Sequence, residues 1–111
     1  MARVVALVPD LFFAAKVRET LTSAGHEVEL VRTHAETVGV DADVVIVDLD
    51  ADDVNPGVLV SDLRGMPTLG FYSHVSEDVK HAARVAGIDV VVPRSRMARE
   101  MPQLVANLVA S

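Results

Sequence analysis

The run Asp43-Val44-Val45-Ile46-Val47-Asp48 decides the fold. Its four central residues are apolar and β-branched without alternation, the mark of a strand buried on both faces, and the run is short for a helix. A second run of this kind, Arg3 to Val8 (RVVALV), ends at Pro9. Between the two, Phe13, Val17, Leu21 and Ala24 recur at helical intervals behind Asp10, and Gly25 offers a left-handed stop. Glu27 to Arg32 (EVELVR) alternates apolar and charged residues, as an edge strand with one wet face does. A short helix within Thr33 to Ala42 completes the N-terminal half.

Beyond Asp48 the chain enters an acidic loop holding Asp50, Asp52 and Asp53. Asn55-Pro56 opens a third helix carrying Val58, Leu59 and Leu63 before Gly65, since proline fits a first helical turn. Pro67 to Tyr72 reads as the fourth strand and Ile88 to Val92 as the fifth. The helix between them starts at Ser76-Glu77-Asp78, with a serine cap and two carboxylates facing the positive end of the dipole. Val79, Ala82, Ala83 and Ala86 give it a small-residue face, and Gly87 ends it. Pro93-Arg94-Ser95-Arg96 reads as a loop, and a last helix is expected to begin near Pro102 and to bury some of Leu104, Val105, Leu108 and Val109. Strands alternating with helices over short connections imply an α/β domain spanning residues 1–111, with parallel pairing and right-handed crossovers.

Composition narrows the function. Half of the 111 residues are hydrophobic, enough for a sizeable core, and no apolar run approaches the roughly 20 residues that span a bilayer. There are no cysteines, which removes disulfides, thiolate metal sites and cysteine nucleophiles, and makes the cytoplasm the default compartment. A net charge of −6 disfavours nucleic acid, and Arg94, Arg96 and Arg99 make only a small basic patch. The first strand is followed by Pro9-Asp10-Leu11-Phe12 and not by a glycine-rich phosphate loop, so no dinucleotide or flavin is expected there, and no cofactor is assigned. No Ser-His-Asp arrangement is discernible, and no enzymatic activity is expected.

Four segments, Gly25-His26-Glu27-Val28, Asp43 to Asp48, Pro67-Thr68-Leu69 and Ala86-Gly87-Ile88-Asp89, fall in the register of one known family. Over nearly its whole length the chain resembles the receiver domain of bacterial response regulators. The resemblance implies a flavodoxin-like three-layer sandwich, with a five-stranded parallel sheet of order 2-1-3-4-5 and helices on both faces. It puts Asp48 at the family's phosphoacceptor position. The acidic pair that holds the family's magnesium falls instead on Val8 and Pro9. The switch hydroxyl position falls on Tyr72, or on Ser73 with one residue deleted. The lysine after the fifth strand corresponds to Arg94, a planar fork in place of a point charge. The chain thus resembles an atypical, degenerate receiver.

In a parallel sheet the carboxyl ends of the strands open into one crevice, and Asp10, Asp48, Asp50, Ser73, His74, Arg94 and Arg96 are all expected near its rim. Each also has a plainer reading. Asp48 either forms a site or turns a loop, and Arg94 either partners Asp48 or a bound anion or is solvated. Asp10 is foremost a helix cap, with a partial metal role as the alternative. N–H groups at Ser73-His74 are placed to receive a phosphate or carboxylate. His26, His34 and His81 lack metal-ligand spacing and are expected to be exposed, and the acidic loop is expected to be solvated, without a metal.

The leading expectation is a stand-alone signalling domain that acts through protein contacts, with Arg94 in standing contact with Asp48 or its neighbours and without metal-dependent phosphorylation. A second keeps the phosphoacceptor chemistry, with Asp10 and Asp50 rebuilding a weak magnesium site. A third makes the crevice a small-anion or nucleotide site built on Arg94, Arg96 and Ser73-His74. Leu11 and Phe12 beside the core-facing Phe13 point to a protein partner, including a second copy.

Overall fold

The computed structural model describes residues 2–52, 54–74 and 77–110. Five strands, β1 (Arg3–Leu7), β2 (Glu27–Val31), β3 (Val44–Asp48), β4 (Thr68–Tyr72) and β5 (Val90–Pro93), pair in parallel in the order β2-β1-β3-β4-β5. The helices are α1 (Leu11–Ser23), α2 (His34–Val38), α3 (Pro56–Leu63), α4 (Glu77–Ala86) and α5 (Arg94–Ala110). This is the expected flavodoxin-like three-layer sandwich, and its central strand β3 is buried at every position.

Because side chains alternate along a strand, each apolar run feeds two cores. Val44 and Ile46 join Val4, Ala6, Leu69 and Phe71 on the face covered by α1 and α5, which contribute Phe13, Val17, Leu21, Met97, Met101 and Leu104. Val45 and Val47 join Val5 and Leu7 on the opposite face, under Leu59 and Leu63 of α3 and Ala83 of α4. Fully burying a side chain of this size contributes about 1.5–3 kcal/mol. Strands that serve both cores must therefore be apolar throughout, which is why β3 and β1 read as continuous runs. The edge strand β2 packs Val28 and Leu30 on the α1–α5 face and enters the opposite core only with its last residue, Val31, while Glu27 and Glu29 stay exposed.

The amino ends of the strands are tied by two acids. Asp43, just before β3, accepts from the Arg3 amide at 2.9 Å, and Asp89, just before β5, accepts from the Thr68 amide at 2.8 Å. Each satisfies the first N–H of a neighbouring strand and so helps set its register.

Several expectations need correction. The last helix begins at Arg94, so Pro93-Arg94-Ser95-Arg96 is not a loop and Pro102 lies inside α5. Met97 and Met101 extend the buried stripe of Leu104, Val105 and Leu108 toward the amino end, and Pro102 sits on the exposed face. There its ring reaches solvent, and burial of the methionines outweighs the missing hydrogen bond to the Ala98 carbonyl. The small-residue face of α4 buries only Ala83. Ala24 is exposed and caps α1. The helix α3 ends before Gly65 as expected, with Arg64 and Gly65 both at positive φ (53° and 84°). The proposed serine cap Ser76 and the acid Asp53 lie outside the described residues. Among the described residues no helix is long and apolar enough to cross a membrane.

Candidate functional site

The carboxyl ends of β1, β3, β4 and β5 surround Asp48, the last residue of β3. Alternation aims it to the same side as Val44 and Ile46, toward α1 and α5. It is 7% exposed. Its Oδ1 accepts from the Asp50 amide at 2.9 Å, a turn-forming contact. Burial pushes its carboxyl above the ordinary aspartate value. The Asp50 amide opposes that shift, the Asp50 charge adds to it, and the more distant Arg94 opposes it. The next residue, Leu49, packs its side chain where a Cβ on Gly70 would lie, so the chain after Asp48 is anchored to β4.

Asp10 stands on one flank and performs two tasks. Its Oδ1 caps α1, accepting from the Phe12 and Phe13 amides at 3.0 and 3.3 Å. Its Oδ2 receives the Arg94 guanidinium at 2.7 Å. Arg94 also lies over the Phe13 ring, 4.3 Å from its centroid, and Phe13 in turn meets Phe71 with centroids 5.0 Å apart. The hydrogen bond from Arg94, followed by the Phe13 amide, holds the Asp10 carboxyl below its ordinary value. The direct partner of Arg94 is therefore Asp10 and not Asp48. The forked contact with Asp48 does not form, because the capping carboxylate already stands where the arginine emerges from α5.

Asp50 stands on the other flank. Its Oδ2 accepts from the Ser73 amide at 2.6 Å, and its two oxygens lie 3.3 and 3.4 Å from the His74 nitrogen. The N–H groups expected to receive an anion at Ser73-His74 thus receive an internal one. Tyr72, at the family's ungapped switch position, belongs to the opposite core, and Lys80 of α4 lies 4.6 Å from its ring centroid. Ser73 follows in the exposed loop.

Arg96 is not brought to the crevice. It pairs with Glu100 one turn along α5 at 3.3 Å, on the exposed face. Two of the histidines expected to be exposed are part-buried and have structural roles. The His26 Nδ1 accepts from the Ala2 amide at 3.0 Å, and the His34 Nε2 meets Asp62 at 2.7 Å, joining α2 to α3. The Asp10 cap was expected; what sequence reasoning missed is the pairing of Asp10 with Arg94 and the occupation of Asp50 by the Ser73 and His74 amides. The Asp10–Arg94 contact spans 84 residues and the Asp50 contacts 23 and 24, so strand-end position was the only available signal.

No protein-family model matches the sequence, and no curated protein sequence matches it. Solved structures do match. A CheY-like response regulator receiver domain protein from Methanospirillum hungatei superposes with a TM-score of 0.87 at 18% identity, covering 99% of this chain and 94% of that one. The receiver domain of the Francisella response regulator 1452 gives 0.84 at 16% identity, covering 99% and 98%. The non-phosphorylated HemR receiver domain from Leptospira biflexa gives 0.83 at 17% identity, covering 100% and 96%. The chain has the receiver fold over its whole length.

Receivers hold magnesium beside the acceptor carboxylate, and the donor set here does not fit it. Magnesium requires several hard oxygen ligands in near-octahedral geometry. Val8 is buried and apolar, and Pro9 contributes neither a carboxylate nor an N–H. Both oxygens of Asp10 and both of Asp50 already accept hydrogen bonds. Among the described residues, no group of three His, Asp or Glu side chains converges to hold a metal ion.

Proposed function

We propose that this chain is a receiver-like signalling domain that works through protein contacts, as a non-enzymatic cytoplasmic module that is not switched by metal-dependent phosphorylation of Asp48. The observation that carries the reading is the commitment of the carboxylates around Asp48. Asp10 is shared by a helix cap and Arg94, and Asp50 by two loop amides. Phosphoryl transfer relies on positioning and on cations that offset charge on the phosphoryl oxygens. A crevice that spends its acids on internal partners lacks the means to gather that charge. A standing Asp10–Arg94 contact favours one arrangement where a switch needs two.

The test is incubation with magnesium and a small-molecule phosphodonor, followed by intact mass measurement beside an active receiver as control. The expected result is unmodified protein. Stoichiometric phosphorylation that disappears in the Asp48→Asn variant would establish the phosphoacceptor reading instead. Support for a protein partner comes from Leu11 and Phe12, which are 65% and 90% exposed beside the crevice. A second copy of the chain is one such partner.

A further inference from the structure

We propose that Asp50 is a built-in anionic latch that fixes the start of the β4–α4 connection, and with it the seat of α4, without any bound ligand. The inference goes beyond the reading above and holds whether or not Asp48 accepts a phosphoryl group, because the latch uses the carboxylate two residues further on.

The latch begins at the end of β3. Asp48 turns the chain by accepting the Asp50 amide, and Leu49 packs over Gly70, as Ile88 does, on the α3–α4 side of the sheet, its amide donating to the Phe71 carbonyl at 2.9 Å. These contacts leave Asp50 little freedom and aim its carboxylate across the end of β4. There it meets two consecutive backbone donors, Ser73 and His74, as the strand ends. Charge-assisted bonds from N–H to carboxylate are roughly twice as strong as neutral ones. Successive N–H groups converging on one anion form a concave receptor that an exposed loop otherwise presents to solvent or to a ligand. Here the occupant is covalently part of the chain, so no diffusing anion is needed to order the segment. Immediately before it, Tyr72 lies under Lys80, and Lys80 also pairs with Glu77 in the first turn of α4. The latch holds Ser73 and His74 at the crevice, and the stack ties the end of β4 to α4. Neutralising the Asp50 charge weakens the first grip, and removing its oxygens abolishes it.

The experiment is residue-resolved amide hydrogen exchange on the intact chain, comparing the parent with Asp50→Asn and Asp50→Ala. In the parent, Ser73 and His74 should exchange well below the rate of unstructured amides. In Asp50→Ala both should accelerate about tenfold or more, together with the first turn of α4, while β3 and α5 remain unchanged as separate units of local opening. Asp50→Asn keeps one acceptor oxygen and the same shape, and should fall between the two. If Asp50→Ala proves too unstable to measure, the Asp50→Asn comparison carries the test by itself. Unprotected Ser73 and His74 amides in the parent, or protection unchanged in Asp50→Asn and Asp50→Ala, would overturn the latch. Loss of the latch would release Asp50 but leave the Asp10–Arg94 pairing in place, and phosphorylation of Asp48 is read separately by the phosphodonor experiment above.

Discussion

At the scale of single residues, two carboxyls that sequence places in one crevice titrate in opposite directions. Asp48 is pushed up by burial and Asp10 is held down by Arg94. A carboxyl whose folded pKa exceeds its unfolded one holds more protons folded than unfolded between the two values, so stability falls as pH rises through that window. For Asp48 the cost therefore appears above its ordinary value of 3.8 and is complete once the folded group has ionised. Asp48→Asn keeps the oxygen that accepts the Asp50 amide and removes the charge. It should stabilise the fold at neutral pH by about 0.5–2 kcal/mol, the usual gain on relieving an unfavourable site residue. Urea unfolding at several pH values should show this advantage shrinking toward pH 4 and below. An advantage independent of pH would mean that the Asp48 charge is not its source. Asp10 runs the other way: its contribution is present above its ordinary value of 3.8 and is lost as pH falls through the lower folded value. Arg94→Ala should raise the Asp10 pKa toward 3.8, read by NMR titration of its carboxyl carbon. An unmoved pKa would show that the Phe12 and Phe13 amides alone depress it.

Among the elements, α5 is the informative one, because it runs through a proline. Pro102 removes one helical N–H and costs about 3 kcal/mol relative to alanine in a helix interior, less about 0.4–1 kcal/mol returned by a stiffer unfolded chain. Pro102→Ala should thus raise stability by roughly 2 kcal/mol, measured as a higher urea midpoint at unchanged slope. A destabilised variant would show that the ring fixes the path of α5. The same helix shows how legibility varies along the chain. The strands could be read directly, because β1 and β3 supply both cores and carry the continuous apolar run that this requires. The amino end of α5 could not, because Arg94, Arg96, Arg99 and Glu100 present a polar sequence and Pro102 imitates a start. The signal available was Met97 and Met101, spaced in step with Leu104, Val105 and Leu108. For the crevice, position at the strand ends was legible for Asp10, Asp48, Asp50, Ser73, His74 and Arg94. Their partners were not, because a contact such as Asp10 to Arg94 is set by two helices meeting over the sheet and leaves no local pattern. The Asp10 cap and the Asp48 turn, contacts within three residues, could be foreseen as chemistry.

Over the whole molecule, charge is divided unevenly. Twelve of the sixteen acidic residues lie in residues 1–63, with four of the ten basic ones, so the β2-β1-β3 half is acidic and the remainder slightly basic. At a net charge of −6 two copies repel each other, and at 0.1 M salt that repulsion is screened beyond about 10 Å. Against it stands the exposed apolar pair Leu11 and Phe12, which nothing among the described residues covers. An exposed phenylalanine on the first turn of a helix contributes little to folding, so Phe12→Ser should leave stability within about 0.5 kcal/mol of the parent. Association through that patch should have two signatures. It should strengthen from low salt to about 0.3 M salt as repulsion is screened, since apolar burial itself is not weakened by salt. It should also disappear in Phe12→Ser. Sedimentation equilibrium at both ionic strengths reads both signatures at once. Association that weakens with salt and survives Phe12→Ser would assign the contact to the oppositely charged halves meeting head to tail. A strict monomer at high concentration under every condition would retire the second copy and leave a different protein as the partner of this face.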